Sequence, residues 1–285
     1  MNPFRVSLWL LLVGTVCPVP STLVAQFSPY LPGPGRTEST LSLTWVTFDH
    51  LWAGSTRVST RAAIGSSGKD QVTTQLSVER GLSERWAADL TLGYTRADLG
   101  SFPSDEGMTD AALGLRMLLI DELESDRRYL PTVAVRLGGI ASGNYDAGLP
   151  FSAGDGASGV DLAILMGRAI SPRLSLVGDV GYRWRDEGVP EEIFAGIGAG
   201  WRWGQAVLST GLRYEGSVSG LDIFGPGFGT VGGFPQTRER NTTVHGSIGL
   251  PVAGSLFLQV YGGRSLSGRN TGDKRIIGAA GSWGF

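Results

Sequence analysis

About twelve stretches of roughly ten residues, each alternating apolar with small or polar side chains, run along this chain from Thr40 to Phe285. A period of two gives a strand one apolar face, and ~9–11 residues is what a tilted strand needs to cross a bilayer. "WAADLTLGYTR" sets Trp86, Ala88, Leu90, Leu92 and Tyr94 against Ala87, Asp89, Thr91, Gly93 and Thr95. "RLSLVGDVGYRWR" sets Leu174, Leu176, Val180, Tyr182 and Trp184 against Ser175, Asp179, Arg183 and Arg185. "EIFAGIGAGWRW" sets Ile193, Ala195, Ile197, Trp201 and Trp203 against Gly196, Gly198, Gly200 and Arg202. Similar patterns lie near 40–48, 71–80, 109–119, 130–141, 158–169, 205–216, 240–251, 254–264 and 274–285. Beyond the N-terminus no apolar run reaches the ~18 residues of a membrane helix. The chain must therefore fold as a soluble β-sandwich or as a membrane barrel.

The connectors separate the two. "GLSER" (81–85), "SP" (171–172), "GQ" (204–205) and "PVAGS" (251–255) are short, and "IDELESDRRY" (120–129) is their longer companion. Between them fall longer, Gly- and Asp-rich connectors at 49–70, 98–108, 142–157, 217–239 and 265–273, with 186–190 shorter. Short turns at one rim and long loops at the other is the outer-membrane arrangement. Aromatics gather at both rims: Trp86, Trp203, Trp283 and Phe285 by the short turns, Tyr94, Tyr182, Trp184 and Tyr214 by the long loops. A sandwich core has no reason to sort them so. Its outer faces would also need more charge than the 18% of this chain, whose 44 glycines fill many polar-face positions. The expected fold is all-β: an up-and-down antiparallel transmembrane barrel of about twelve strands in the outer membrane of a Gram-negative-type bacterium. Outer-membrane lipids surround it, and Phe285 faces them at the periplasmic rim. The terminal "SWGF" resembles the closing strand that the barrel-assembly machinery reads in such proteins.

The N-terminus reads as a secretory signal peptide over residues 1–25: Arg5, an apolar run from Val6 to Val16, and Ala25 at the cleavage site. A Pro/Gly-rich periplasmic linker is expected over 26–39 and the barrel over 40–285. Loss of Cys17 with the signal would leave neither a disulfide nor a thiol nucleophile. A net charge of −2 gives no argument for a nucleic-acid partner. No cofactor is expected, since the Gly-x-Gly repeats are thin strand positions and no His/Asp cluster has metal spacing.

With the apolar face outward, the lumen is lined by Glu79, Asp89, Asp110, Asp161, Asp179 and Glu215 against Arg116, Arg136, Arg183, Arg185, Arg202, Arg213 and Lys274. Phe194, Val177, Phe257 and Tyr261 also point inward. The near balance of signs argues against strong ion selectivity, and mutual pairing of these charges would plug the interior. If "SP" closes a tight hairpin, Asp161 and Arg183 face each other across adjacent strands.

"GMTDAALGLRMLL", "YLPTVAVRLGGIASGNYD" and "DLAILMGRAISPRLSLVGDVGYRW", preceded by the turn "GLSERW", resemble the outer-membrane proteins of the phenol meta-pathway degradation transporter group over about residues 70–215. The loop "ASGNYDAGLPFSAGDGASG" departs from that group in lacking a Pro-Thr-Gly turn. The resemblance implies a barrel that passes or binds a small, often hydrophobic or aromatic, solute. It transfers no site residues.

An enzyme is the rival class. "HGS" places His245 and Ser247 on one strand face, with Gln259 opposite Ser247 on the next strand, similar to the constellation of outer-membrane lipid hydrolases. Those hydrolases face lipid, whereas here Val244, Ile248 and Leu250 take the lipid-like face. A structural or adhesive barrel, using the long loop at 217–239, is the third class.

Overall fold

The computed structural model describes residues 28–98, 100–123, 129–149, 152, 154–186, 188–229 and 231–285; the expected signal peptide lies outside them. Strand β1 (Thr37–Phe48) is followed by a small hairpin of β2 (His50–Ala53) and β3 (Thr56–Ser59), and then by β4 (Lys69–Gly81) and β5 (Trp86–Asp98). Next come β6 (Asp105–Met108), β7 (Ala111–Ile120), β8 (Thr132–Ala141), β9 (Gly159–Ser171) and β10 (Leu174–Arg185). The last five are β11 (Glu192–Trp203), β12 (Ala206–Ser217), β13 (Arg240–Ala253), β14 (Leu256–Arg269) and β15 (Arg275–Gly284). Leaving out β2, β3 and β6, twelve antiparallel strands form a closed barrel in chain order. Closure runs through β1, bonded to β15 from Glu38↔Gly284 to Thr47↔Arg275 and to β4 from Thr37↔Arg80 to Phe48↔Lys69. In lipid an unpaired backbone group costs several kcal/mol, so a sheet with no open edge is the form a β protein can take there.

The outer surface bears this out. Leu41, Leu43, Leu90, Leu113, Leu137, Ile164, Ile197, Leu212, Val260 and Ile277 are all exposed, and together they make a belt no water-facing surface would carry. Trp203 and Phe285, at the short-turn rim, are 72% and 73% exposed. Tyr94, Trp184 and Tyr214 are exposed at the other rim, and Tyr182 packs on Trp184 with ring centroids 4.9 Å apart.

Turn chemistry follows the sequence with two corrections, the first being that Pro251–Ala253 continue β13 and leave only Gly254–Ser255 as the turn expected over 251–255. Gly204 (φ 60°) and Gly254 (φ 54°) each open a two-residue turn in the left-handed region that a side chain would resist. The β9–β10 turn, expected at Ser171–Pro172, is Pro172–Arg173 instead, because Ser171 stays in the strand and its Oγ accepts from the Arg173 and Leu174 amides at 3.2 and 3.1 Å. The strand expected over 109–119 begins only at Ala111, and the connector expected over 98–108 contains the short strand β6.

The N-terminal segment differs most from expectation. Residues 37–39, read as linker, begin β1, and residues 28–34 fold into the periplasmic mouth. Pro29 and Pro32 are buried. Arg116 Nη1 donates to the Ser28 carbonyl at 2.7 Å, and the Tyr30 hydroxyl donates to Glu122 Oε1 at 2.9 Å. Burial, then the Glu122 carboxylate, push the Tyr30 pKa upward, so the phenol remains a donor. Two wall glycines make the room. A Cβ on Gly167 would stand 2.6 Å from the Pro29 ring, and one on Gly81 would stand 2.3 Å from the Pro32 and Gly33 carbonyls. An extended Pro-rich segment suits this place because it brings no hydrogen-bond ladder of its own.

At the outer end the loops are tied through Asn270, fully buried and at φ 50°. Its Oδ1 accepts from the Gly54 and Ile223 amides at 2.8 and 3.0 Å. Its Nδ2 bonds the Leu221 and Arg238 carbonyls and Asp222 Oδ1 at 3.2, 2.9 and 2.9 Å. Asn270→Ala should cost the loops about 2–4 kcal/mol of local stability. Limited proteolysis should then cut within 218–239 much faster, while the barrel stays resistant and still shifts on a gel when heated.

Candidate functional site

The interior is built from one register line. Around the barrel, Glu38 on β1 faces Glu79 on β4, which faces Asp89 on β5. Asp89 faces Gly114 on β7, Gly114 faces Gly138 on β8, and Gly138 faces Asp161 on β9. The line continues through Arg183 on β10 to Glu192 on β11. In the row beside it, Arg116 and Arg136 stand directly opposite each other on β7 and β8.

Arg136 lies across the two glycines. Its Nε and Nη2 donate to the Asp89 oxygens at 3.1 and 2.8 Å, and its Nη1 donates to Asp161. A Cβ on Gly114 would stand 2.5 Å from Nη2, and one on Gly138 would stand 2.3 Å from Nη1. Glycine at both positions is what lets one guanidinium bridge carboxylates on β5 and β9. Arg116 pairs with Glu79 and lies 3.8 Å from Asp89. Further round, Asp179 and Arg213 meet at 2.5 Å across Gly196, which faces both in register. Arg213 and Arg183 lie 4.9 and 5.5 Å from the centroid of the Phe194 ring.

Thus Asp89, Arg116, Arg136, Asp161, Asp179, Arg183 and Arg213 share one charged wall, running from β4 to β12. Arg185 and Asp110 lie above it in the outer mouth, where Arg185 Nη2 is 3.3 Å from Asp110 and 3.2 Å from Asp155. Burial pushes the carboxyls of Asp155 and Glu239 up, Glu239 to about 8, with Asp155 adding to the Glu239 shift and Lys274 opposing it. Arg202 falls at the inner rim, facing Val207 beside the Gly204 turn. Asp161 and Arg183 face each other as expected and form an ion pair at 4.0 Å. The closer bonds of each go elsewhere, Asp161 to Arg136 and Arg183 to Glu192 at 2.9 Å.

The opposite wall, β13 to β4, carries hydroxyls, amides and rings. The Tyr261 hydroxyl is 2.7 Å from Thr44 Oγ1, and Gln71, Thr73 and Thr95 bond one another at 3.0–3.2 Å. Phe257 is buried, its ring 2.4 Å from where a Gly249 Cβ would stand. Gln259 faces Gly249 rather than Ser247, two residues from its expected place, because β13 runs on to Ala253 and the hairpin turns at Gly254–Ser255 instead of over 251–255. Its Nε2 still reaches Ser247 Oγ at 2.5 Å, and Ser247 Oγ is also 2.5 Å from Ser209 Oγ. His245 and Ser247 both face the lumen, but neither ring nitrogen of His245 bonds Ser247 or any other group. The base and nucleophile of a hydrolase are therefore not joined.

Sequence reasoning missed Glu192 on the charged wall, Glu38 at its edge on β1, and the two-strand device "GLR" opposite "RLG". Gly-x-Arg facing Arg-x-Gly on neighbouring strands marks where one arginine crosses a bare floor.

A family profile described as "Putative MetA-pathway of phenol degradation" matches residues 24–275. No curated protein matches the chain. Among solved structures, an outer membrane channel from Pseudomonas putida F1 is similar with a TM-score of 0.69 and 15% identity, covering 94% of this chain and 99% of that one. The NanC porin is similar with a TM-score of 0.53 and 8% identity, covering 86% of this chain and 98% of that one. At these identities the likeness is one of fold.

Proposed function

The chain belongs to the family described as "Putative MetA-pathway of phenol degradation", and from that premise we propose that it is a transporter barrel of the outer membrane, passing small, uncharged, partly apolar or aromatic solutes. One observation carries this reading: the charges of the lumen are spent on one another. Arg116, Arg136 and Arg213 are each bonded to carboxylates and are almost wholly buried, so little of their charge reaches a passing ion. The opposite wall offers neutral hydroxyls and aromatic faces, a surface suited to solutes with an apolar body. Assembly by the barrel machinery through β15, with Phe285 at the periplasmic rim, belongs to the same proposal.

The test is entry of N-phenyl-1-naphthylamine, a neutral aromatic dye, into cells with an intact lipopolysaccharide leaflet. Cells producing the barrel should take it up several-fold faster than cells with an inactive vector, while entry of an anionic dye of similar size stays unchanged. Equal rates for the neutral dye would overturn the reading.

A further inference from the structure

Outside the barrel, at the long-loop rim, like charges face each other twice. Arg264 on β14 stands directly opposite Arg275 on β15, and Arg240 on β13 directly opposite Arg269 on β14. Register puts the four on the lipid side of the sheet: Arg264 also faces Val244, and Arg240 lies two residues beyond Thr242, which faces the girdle residue Tyr214. Arg269 is committed, its Nε and Nη2 to Asp222 and its Nη1 to Ser55 Oγ at 3.1 Å, and Arg275 Nη2 lies 3.2 Å from Asp49. Among the described residues Arg240 and Arg264 have neither a hydrogen bond nor an ion pair, and Arg240 Nε is buried. Arg240 and Arg269 also wall a cavity of about 250 Å³ with Tyr214, Thr242, Ser267 and Ser55.

Like charges in direct cross-strand register destabilise a sheet. Elsewhere on this rim register supplies the opposite charge, since Arg96 on β5 faces Glu106 on β6. On β13–β15, among the described residues, four guanidiniums meet only the carboxylates of Asp222 and Asp49, so the patch calls for an anion from outside. Its depth tells which one. Val260 and Ile277, on the lipid side just inward of Arg264 and Arg275, are 56% and 59% exposed. Arg240 stands four residues along β13 from Val244, the residue facing Arg264, so the two free arginines start about 13 Å apart along the strand. The lower sits at the edge of the apolar belt and the upper above the tyrosine girdle, where acyl chains give way to headgroups. A small anion free in water has no reason to stop there, whereas a lipid headgroup is held there. Guanidinium binds phosphate through two parallel hydrogen bonds, and a headgroup of two phosphorylated sugars, met by the reach of two arginines, spans this spacing.

We propose that Arg240 and Arg264, supported by Arg269 and Arg275, bind the phosphorylated saccharide headgroup of a lipid in the outer leaflet. The inference needs the barrel's place in the outer membrane and nothing from the transport reading. It gives β13–β15 a fixed lipid neighbour on one flank of the barrel. Asp70 and Asp98, facing each other on the lipid side of β4 and β5, would repel the same headgroup on another.

The probes are lipid A carrying both phosphates and the same lipid stripped of them, added to the purified full-length barrel in detergent micelles and followed by native mass spectrometry. The wild-type barrel should bind the phosphorylated lipid about tenfold or more tightly than the stripped one, the scale of two arginines at a membrane surface. Arg240→Gln combined with Arg264→Gln should bring the two within about twofold of each other. Lysine at both positions, which returns the charge without the fork, should restore part of the preference. Arg96→Gln, on the far side of the same rim, should leave it unchanged. Equal binding of both lipids by the wild type overturns the site, as does a preference that survives the double glutamine variant in a barrel that still shifts on heating. Displacement of the lipid by inorganic phosphate at matched ionic strength overturns it in favour of a small free anion. A dimer of barrels that is lost in the double variant and indifferent to lipid phosphate also overturns it, and would mean that the acidic rim of a second copy covers the patch.

Discussion

Replacing Arg136 by methionine should lower the unfolding free energy of the barrel by about 3–5 kcal/mol, because it strands two buried carboxylates at once. Asp89 and Asp161 are each only a few percent exposed, and Arg136 is bonded to both. Removing the charge between them leaves Asp161 only a long ion pair with Arg183 at 4.0 Å and Asp89 only one with Arg116 at 3.8 Å, neither of them a hydrogen bond. Methionine keeps most of the volume over Gly114 and Gly138, so the loss reports charge rather than a cavity. Denaturant unfolding in micelles, followed by tryptophan fluorescence, measures it. Converting Asp89 and Asp161 to asparagine in the same chain should recover much of the loss, since no uncompensated charge then remains. A single Arg136→Met variant as stable as the parent would show that water reaches this wall freely and that the row is solvated rather than cross-linked.

Removing residues 28–35 should raise the single-channel conductance of the barrel in planar bilayers roughly threefold or more, since a twelve-stranded barrel is wider than its own side chains fill. The segment lies across the periplasmic mouth, with Pro29 and Tyr30 against Gly167 and the Ser28 carbonyl on Arg116. It carries no strand of the closed sheet and gives up one rim bond, Gly35 N–H to the Gly81 carbonyl at 2.8 Å, so the barrel should still assemble. Tyr30→Phe, which loses only the bond to Glu122, should give a smaller rise or more frequent transitions to the larger conductance. Unchanged conductance after the deletion would place the limiting constriction elsewhere, with the charged wall as the next place to test.

Most of the barrel could be read in the sequence, because a membrane barrel puts its pattern on the surface. Trp86-x-x-x-Leu90-x-x-x-Tyr94 on β5 and the short turns at Gly204 and Gly254 had to be apolar or left-handed whatever their neighbours were. The inward direction of Asp89, Arg136 and Asp161 followed from the same alternation. Their pairing did not, since it depends on register. Knowing that Asp161 faces Arg183 on one side gives no hint that the Arg136 guanidinium, from the strand on its other side, reaches over Gly138 to take it first. The later turn of the β13–β14 hairpin, at Gly254–Ser255, likewise moved Gln259 by two residues, and only the strand pairing shows it. Residues 28–34 eluded the reading for a different reason. Proline and glycine mark a segment without a ladder of its own, and that description suits a free linker and a docked one equally well.

Asn270 has one more consequence. Its single side chain holds the carbonyls and amides of Gly54, Leu221, Ile223 and Arg238, which come from two different loops, while its own backbone belongs to a third. Arg269 beside it binds Asp222 through both Nε and Nη2, tightening the same knot. Three connectors that would otherwise move one at a time therefore share a common fastening. The outer cap gives way as a unit or holds as a unit, and a substitution in any one loop is felt by the other two.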